Sequence, residues 1–221
     1  MLWRSNNKNQ VVWVLKSGSQ NASAVSPASI TIVPGGRDSG LGHWQSLWAE
    51  RLPHACRVVQ DDWITPTRLA WVGPLEKTVL AAPHPVVIVA HGLGCIATTS
   101  MGAQAAARVC SALLVAPTDP ERRTVLNNCA LVALSVRSIV VAGSNGLYYP
   151  LRLAGACARA WGRECVRMQN AGHLHIDSGH GESPLDWALL QSLQGDPTAS
   201  RAPVPGHAQA SPAAPVLQEY S

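Results

Sequence analysis

The residues best suited to chemistry lie at a sharp turn between an apolar run and a helical pattern. Residues 86–90, VVIVA, are apolar and mostly β-branched, which predicts a buried strand. The turn HGLG at 91–94 follows, and apolar residues then recur at helical spacing. Strand, turn and helix in this order are typical of a nucleophile elbow, G-x-S-x-G, which holds an activated serine for acyl transfer. Gly92 occupies the serine position, so we predict an elbow without its nucleophile.

Two further loops supply the other groups that such a site needs. The sequence AGH, ending at His173, follows the last predicted strand, where the general base of an α/β-hydrolase belongs. The sequence PGG, ending at Gly36, follows the first predicted strand, where one backbone N–H of an oxyanion hole belongs. The second donor is expected at Leu93, directly after the nucleophile position. Taken alone, the glycine-rich turn would also suit a strand-to-helix connection in any doubly wound protein.

Strands and helices alternate between residues 28 and 195, which predicts how these loops are positioned. We predict strands at 30–33, 56–59, 86–90, 112–116, 138–142 and 164–168. We predict helices from 44 to 52, from 69 to 82 with a kink or break at Gly73-Pro74, after the elbow, and from 151 to 161. A last helix begins at Ser183-Pro184, and its expected buried face comprises Leu185, Ala188, Leu189 and Leu193.

Apolar strands separated by helices predict one α/β domain, with a mostly parallel central sheet and helices on both faces. In such sheets the loops at the carboxyl ends of the strands meet in one cleft, which would bring the elbow, the PGG loop and the AGH loop together. Residues 1–27 are interpreted as an N-terminal extension, and residues 196–221 as a disordered tail rich in Pro and Ala.

Composition excludes several classes of function. The net charge is only +4 and the arginines are scattered, so we expect no nucleic-acid partner. Since no apolar run approaches the roughly 20 residues of a membrane span and no signal peptide is recognisable, we expect a soluble cytoplasmic protein without a membrane partner. The six cysteines contain no C-x-x-C pair and are interpreted as free thiols. No cofactor is predicted.

Several motifs resemble those of one known family. They include GHWQ at 42–45, the elbow AHGLGC at 90–95, and AGH followed by SG at 171–179. In these segments the chain is similar to the small single-domain serine hydrolases of the YdeN type, whose eukaryotic relative is retinoblastoma-binding protein 9. The resemblance covers nearly all of residues 28–195 in the same order. It implies an α/β-hydrolase fold and descent from hydrolases of small carboxylic esters or amides.

The resemblance also assigns the catalytic positions, residue by residue. The family's nucleophile falls on Gly92, its acid on Gly146 of the pair Asn145-Gly146, and its base on His173, which is retained. Two of the three triad residues are therefore glycine. This pattern implies an inactive or very weak hydrolase, using His173 and a bound water at most. The expected role is a binding or interaction module for a small ester- or amide-like ligand or an unknown protein partner.

Other residues could replace the missing groups or line the cleft. Asp119 follows the strand next to the elbow strand and could act as a substitute acid, although a structural role is the alternative. Cys95 and Ser100 lie further along the elbow helix and are expected to be packing residues. His91 is interpreted as a hydrogen-bonding residue that lines the cleft. His43 is expected to pack at a helix start rather than to contact a ligand.

The alternative function is metal-assisted hydrolysis. The run HLHID at 173–177 places alternate side chains on one side of an extended loop, and His180 follows it. Neutral imidazoles from His173, His175 and His180 would suit zinc. Because the base position already accounts for His173 and no second ligand cluster is apparent, we predict no metal.

Overall fold

The computed structural model describes residues 28–65, 67–118, 134, 136–145, 161 and 164–194. Its strands are β1 (Ser29–Val33), β2 (Ala55–Arg57), β3 (Val86–His91), β4 (Val109–Val115), β5 (Arg137–Gly143) and β6 (Glu164–Met168). Within the described part of the chain they form a six-stranded sheet in the order β2-β1-β3-β4-β5-β6, and every neighbouring pair is parallel. All six predicted strands are thereby confirmed, with differences of a few residues at their ends.

Helices connect these strands. They are α1 (Trp44–Arg51), α2 (Arg68–Leu80), α3 (Leu93–Thr99), α4 (Ala103–Ala106) and α5 (Pro184–Gln194), with a 3-10 turn at Ile176–Ser178. The short helix α4 was not predicted. The predicted helix at 151–161 lies outside the described residues, apart from Trp161, which is helical and buried. None of the helices in the described ranges combines the length and the apolar content that a membrane crossing requires.

The core lies on both faces of the sheet, with β3 in its middle. All six residues of β3 are buried. Ile88 packs in the cluster that contains Trp71 of α2, whereas its neighbour Val89 packs in a second cluster with Trp48 of α1 and Leu190 of α5. Successive side chains of a strand point to opposite faces, so the two clusters place helices on both sides of the sheet, as predicted.

The sequence predicts a kink or a break at Gly73-Pro74, and the break is wrong. The helix continues through Pro74, although proline lacks the N–H that would bond to the carbonyl of Ala70. Two local features make this tolerable. Ala70 is exposed, so water can satisfy its carbonyl, and the residue before the proline is Gly73, which has no Cβ to clash with the proline ring. Thr78 Oγ1 also donates a 2.8 Å hydrogen bond to the Pro74 carbonyl.

The predicted buried face of α5 is partly wrong. The helix begins at Pro184 as expected, but Leu185 is 41% exposed and Ala188 is also exposed. The buried positions are Asp186, Leu190 and Leu193, a helical stripe that the sequence interpretation missed because it begins with a carboxylate. Asp186 accepts a hydrogen bond from Ser183 Oγ, and burial raises its pKa to about 6.

Candidate functional site

The elbow predicted between β3 and α3 is present. Gly92 connects the two elements with φ 53° and ψ −119°, a backbone conformation that is costly for residues with a Cβ. Gly94 is packed against the end of β1. A Cβ on Gly94 would lie 2.4 Å from the carbonyl oxygen of Val33 and 2.6 Å from that of Pro34. The close approach of α3 to β1 therefore requires glycine at position 94.

The elbow brings position 92 against the predicted base. A Cβ on Gly92 would lie 3.4 Å from His173 Nε2, 3.6 Å from Gly35 Cα and 3.8 Å from Thr118 Cγ2. These are ordinary van der Waals distances, so a side chain at position 92 would fit between the three groups. A hydroxyl one bond beyond that Cβ could reach Nε2, which is the geometry that nucleophilic catalysis needs. The structure thus brings Gly92 and His173 together, and position 92 carries no side chain.

The PGG loop lies against the elbow through Gly35. Gly35 is the residue in contact: a Cβ there would lie 3.1 Å from His91 Nδ1 and 3.8 Å from Gly92 Cα. Gly36 follows it and is half-buried. Leu93 is the first residue of α3, so its N–H has no partner within the helix. The oxyanion roles of Gly36 and Leu93 stay predictions. The sequence signal for Gly35 was the first glycine of the PGG motif.

Two side chains from distant elements hold the backbone of the base loop, residues 170–175, which follows β6 and carries the predicted base His173. His91 Nε2, at the end of β3, hydrogen bonds to the His173 carbonyl at 2.9 Å. Trp44 Nε1, at the start of α1, donates to the next carbonyl, that of Leu174, at 3.0 Å. Consecutive carbonyls of this loop are therefore held by two neighbouring side chains, since the ring centroids of Trp44 and His91 lie 6.0 Å apart. His91 contributes this bond from a largely buried position, rather than as an open lining residue of the cleft.

The loop after β5 is tied to the same base loop. Ser144 Oγ accepts a 3.0 Å hydrogen bond from the Asn170 N–H, and Asn145 Oδ1 accepts a 2.8 Å hydrogen bond from the Gly172 N–H. Gly143 packs so closely that a Cβ there would lie 2.2 Å from the Gly172 carbonyl oxygen. The two predicted acid positions, Gly146 and Asp119, lie outside the described residues.

Burial keeps two histidines beside the base uncharged. The ring centroids of His91 and His173 are 4.9 Å apart, and those of His43 and His91 are 5.0 Å apart. Burial, with a smaller contribution from His43, lowers the pKa of His91 to about 3. Burial also lowers the pKa of His43 to about 4, assisted by His175 and then by Arg57. Neutral His91 must therefore donate its Nε2 proton to the His173 carbonyl.

The remaining candidates make contacts that support the fold. His43 Nδ1 accepts a 3.2 Å hydrogen bond from the Gln45 N–H and caps α1, which confirms a packing role at the helix start. Cys95 is fully buried in the core, and Ser100 Oγ donates to the Ile96 carbonyl at 2.7 Å, as expected for packing residues.

The metal-assisted alternative gains no support from the loop that was proposed to carry it. The rings of His173 and His175 have centroids 5.9 Å apart. In the part of the chain that the structure describes, no group of three or more His, Cys, Asp or Glu residues is arranged to hold a metal ion.

The fold and this site define the class of protein. A parallel sheet covered by helices on both faces, with a nucleophile elbow at the end of its central strand, is an α/β-hydrolase fold. Residues 30–192 match the family described as serine hydrolase. The chain therefore belongs to the serine hydrolase family.

Solved structures agree with this assignment. A YdeN-like hydrolase from Pectobacterium atrosepticum superposes with a TM-score of 0.71 at 28% identity, covering 76% of this chain and 90% of that chain. The ydeN gene product from B. subtilis has a TM-score of 0.61 at 19% identity, covering 76% and 98%. Thermogutta terrifontis esterase 2, phosphonylated by cyclosarin, has a TM-score of 0.57 at 14% identity, covering 75% and 81%. The last two share the fold. No curated protein matches this sequence.

The contact at Gly94 leads to a stability prediction. Gly94→Ala would drive a Cβ into two backbone carbonyls, and we expect it to lower the free energy of unfolding by about 2–4 kcal/mol. Gly40→Ala is the matched control, because a Cβ on Gly40 meets nothing within 4 Å; its stability should change by less than about 1 kcal/mol. Urea denaturation of the three proteins measures both. Equal stability of the two variants would contradict the packed elbow.

The buried histidines lead to a pH prediction. Between pH 6.5 and the lowered values near 4 and 3, the unfolded chain binds protons at His43 and His91 that the folded chain does not. Stability must therefore fall as the pH decreases through this range. His91→Gln keeps an amide donor for the His173 carbonyl but cannot titrate, so its loss of stability between pH 7.5 and 4.5 should be smaller by about 2 kcal/mol. Urea denaturation at both pH values measures this. If the native chain and His91→Gln lost the same stability, His91 would not be a buried histidine with a lowered pKa.

Proposed function

We propose that this chain is a serine-hydrolase-family protein with a degenerate triad, which binds a small ester- or amide-like ligand without forming an acyl-enzyme. The observation that carries the proposal is the elbow itself. Position 92 has the backbone conformation of a nucleophile and faces His173 Nε2, yet its residue is glycine. An acyl-enzyme needs an oxygen or sulfur at this point, and glycine has neither.

The loss is too large for the remaining groups to offset. In serine hydrolases of known kinetics, removal of the nucleophile costs on the order of 10⁶ in rate, and the remainder comes from the oxyanion hole and binding. At the acid position, Gly146 removes the carboxylate that would fix the tautomer of the base. We therefore expect the protein to be at most a very weak hydrolase.

The groups that remain suit recognition of a carbonyl compound. Backbone N–H groups, predicted at Gly36 and Leu93, would bind the carbonyl oxygen of an ester or amide. His173 is held in place through its own carbonyl by His91, so it can face the ligand without rearrangement. A site whose groups are already positioned loses little conformational entropy on binding, which favours a ligand-binding role.

Reactivity with a fluorophosphonate probe tests the proposal, because such probes capture activated serines. We expect no labelling of the native chain. Gly92→Ser should become labelled, since the introduced hydroxyl would lie against His173, and adding Gly146→Asp should increase the rate of labelling. The matched control is Gly92→Ser combined with His173→Gln, which keeps the hydroxyl and removes the base; it should stay unlabelled. Circular dichroism verifies that each variant folds.

Two outcomes would contradict the proposal. Stoichiometric labelling of the native chain, mapped by mass spectrometry to any residue, would show that a nucleophile is present elsewhere. If the Gly92→Ser and Gly146→Asp double variant is folded but inert to the probe and to simple esters, Gly92 and Gly146 are not lost catalytic positions.

A further inference from the structure

We infer that His43 is a ligand-binding residue of the cleft, whose Nε2–H donates a hydrogen bond to an uncharged oxygen of the ligand outside its ester or amide group. The inference rests on the proposed function, because it assigns a chemical class to the ligand of that same site. The class is an ester or amide that carries a second carbonyl oxygen, as a keto ester does.

The hydrogen bond that caps α1 fixes the position of the proton on the His43 ring. His43 Nδ1 accepts from the Gln45 N–H at 3.2 Å, so Nδ1 presents a lone pair. Burial lowers the pKa of His43 to about 4, and the neutral imidazole then has a single ring N–H. That proton is therefore on Nε2. The ring packs at the helix start through one nitrogen and presents a donor through the other.

Within the described ranges of the chain, the Nε2–H of His43 has no hydrogen-bond partner, because the one hydrogen bond of this ring is made by Nδ1. The residue is only 5% exposed. A donor in such a position is unfavourable unless an acceptor is supplied. Since the described part of the chain supplies none, the acceptor must come from water or from a ligand.

This donor lies beside the base loop. Nδ1 of His43 points at the first turn of α1, so Nε2, on the other side of the ring, points away from the helix. The charges that act on the ring belong to His175, Arg57 and His173. The ring centroids of His43 and His91 are 5.0 Å apart and those of His91 and His173 are 4.9 Å apart, so those of His43 and His173 are at most 9.9 Å apart. One small ligand can span this distance.

A ligand that extends from the base to α1 meets this donor. Its ester or amide carbonyl would bind the backbone N–H groups predicted at Gly36 and Leu93, and its remainder would displace water from His43 Nε2. An apolar remainder leaves the N–H without a partner, whereas an oxygen acceptor restores the hydrogen bond. A site with such a donor discriminates strongly against an analogue that lacks the acceptor.

The charges near His43 favour an uncharged acceptor. Arg57 Nη2 is already paired with Asp38 Oδ1, and it also donates to the Ser39 carbonyl at 2.8 Å. Burial keeps His43 and His91 neutral. An ionised carboxylate would exchange its hydration for a neutral donor, whereas a ketone or amide oxygen gives up much less. We therefore assign a carbonyl oxygen to this position rather than a carboxylate.

The experiment measures the affinity of the full chain for pairs of esters, from the shifts of its amide resonances in NMR titrations. Ethyl 3-oxobutanoate, 4-oxopentanoate and 5-oxohexanoate are each paired with the ester that has CH₂ in place of the ketone, namely ethyl butanoate, pentanoate and hexanoate. We expect at least one keto ester to bind about three- to tenfold more tightly than its partner, as for one hydrogen bond between neutral groups. Monoethyl succinate, which replaces the ketone of ethyl 4-oxopentanoate by a carboxylate, should bind no more tightly than ethyl pentanoate.

His43→Asn separates the donor from the helix cap. Asparagine is a preferred N-cap residue whose Oδ1 can accept from the Gln45 N–H, and it has no group at the position of Nε2. The keto preference should disappear. The ratio within a pair is the readout, because a general loosening of the site would weaken both esters alike. His84→Asn, two residues before β3 at the opposite edge of the sheet, is the matched control and should keep the preference. If His43→Asn does not fold, His43→Ser, also a preferred cap, removes the same donor.

The outcomes separate the two proposals. Equal affinities within all three pairs, or a keto preference that survives in folded His43→Asn, overturn this inference and leave the proposed function standing. Tighter binding of monoethyl succinate than of ethyl 4-oxopentanoate overturns the uncharged ligand class. If none of the esters shifts a resonance of the native chain, the ligand-binding role fails together with this inference. A keto preference in a native chain that the fluorophosphonate probe labels supports the role of His43 and overturns the proposed function.

Discussion

The arrangement of the site depends on one close contact, the packing of Gly94 against the carbonyl oxygens of Val33 and Pro34. This contact brings the start of α3 down onto the end of β1, and the residue before the helix must then turn sharply. That residue is Gly92, whose backbone is held by hydrogen bonds to β4 and the loop after it. Position 92 is thereby directed at the base loop whether or not it carries a side chain.

The base loop is also held in place, by side chains that lie far from it in the sequence. Gln45, fully buried, donates to the carbonyls of Val33 and Val89 and accepts from Ser39 Oγ, so it ties α1 to the ends of β1 and β3. Its neighbour Trp44 then reaches the Leu174 carbonyl. The GHWQ motif is thus a positioning motif: it connects the PGG loop, the elbow strand and the base loop. These contacts are present around a glycine at position 92.

Much of the fold could be predicted because its signals are local. Short stretches of sequence are enough to recognise the unbroken apolar run of β3, the glycines of the elbow and the helix start at Ser183-Pro184. The errors arose where tertiary context decides. Exposure of Ala70 lets α2 pass through Pro74, and the burial of Asp186 rather than Leu185 on α5 depends on what packs against that helix. The bond between Trp44 and the Leu174 carbonyl spans 130 residues, a separation that no periodicity can reveal.

We infer that Gly92 occupies the position of a nucleophile that faces His173. A crystal structure of the Gly92→Ser variant tests this, because it gives the distance between the introduced Oγ and His173 Nε2. We expect the introduced Oγ to lie about 2.6–3.2 Å from His173 Nε2, with the backbone at position 92 still at positive φ. An Oγ beyond hydrogen-bond distance of Nε2, in a variant whose elbow has kept its shape, would contradict it.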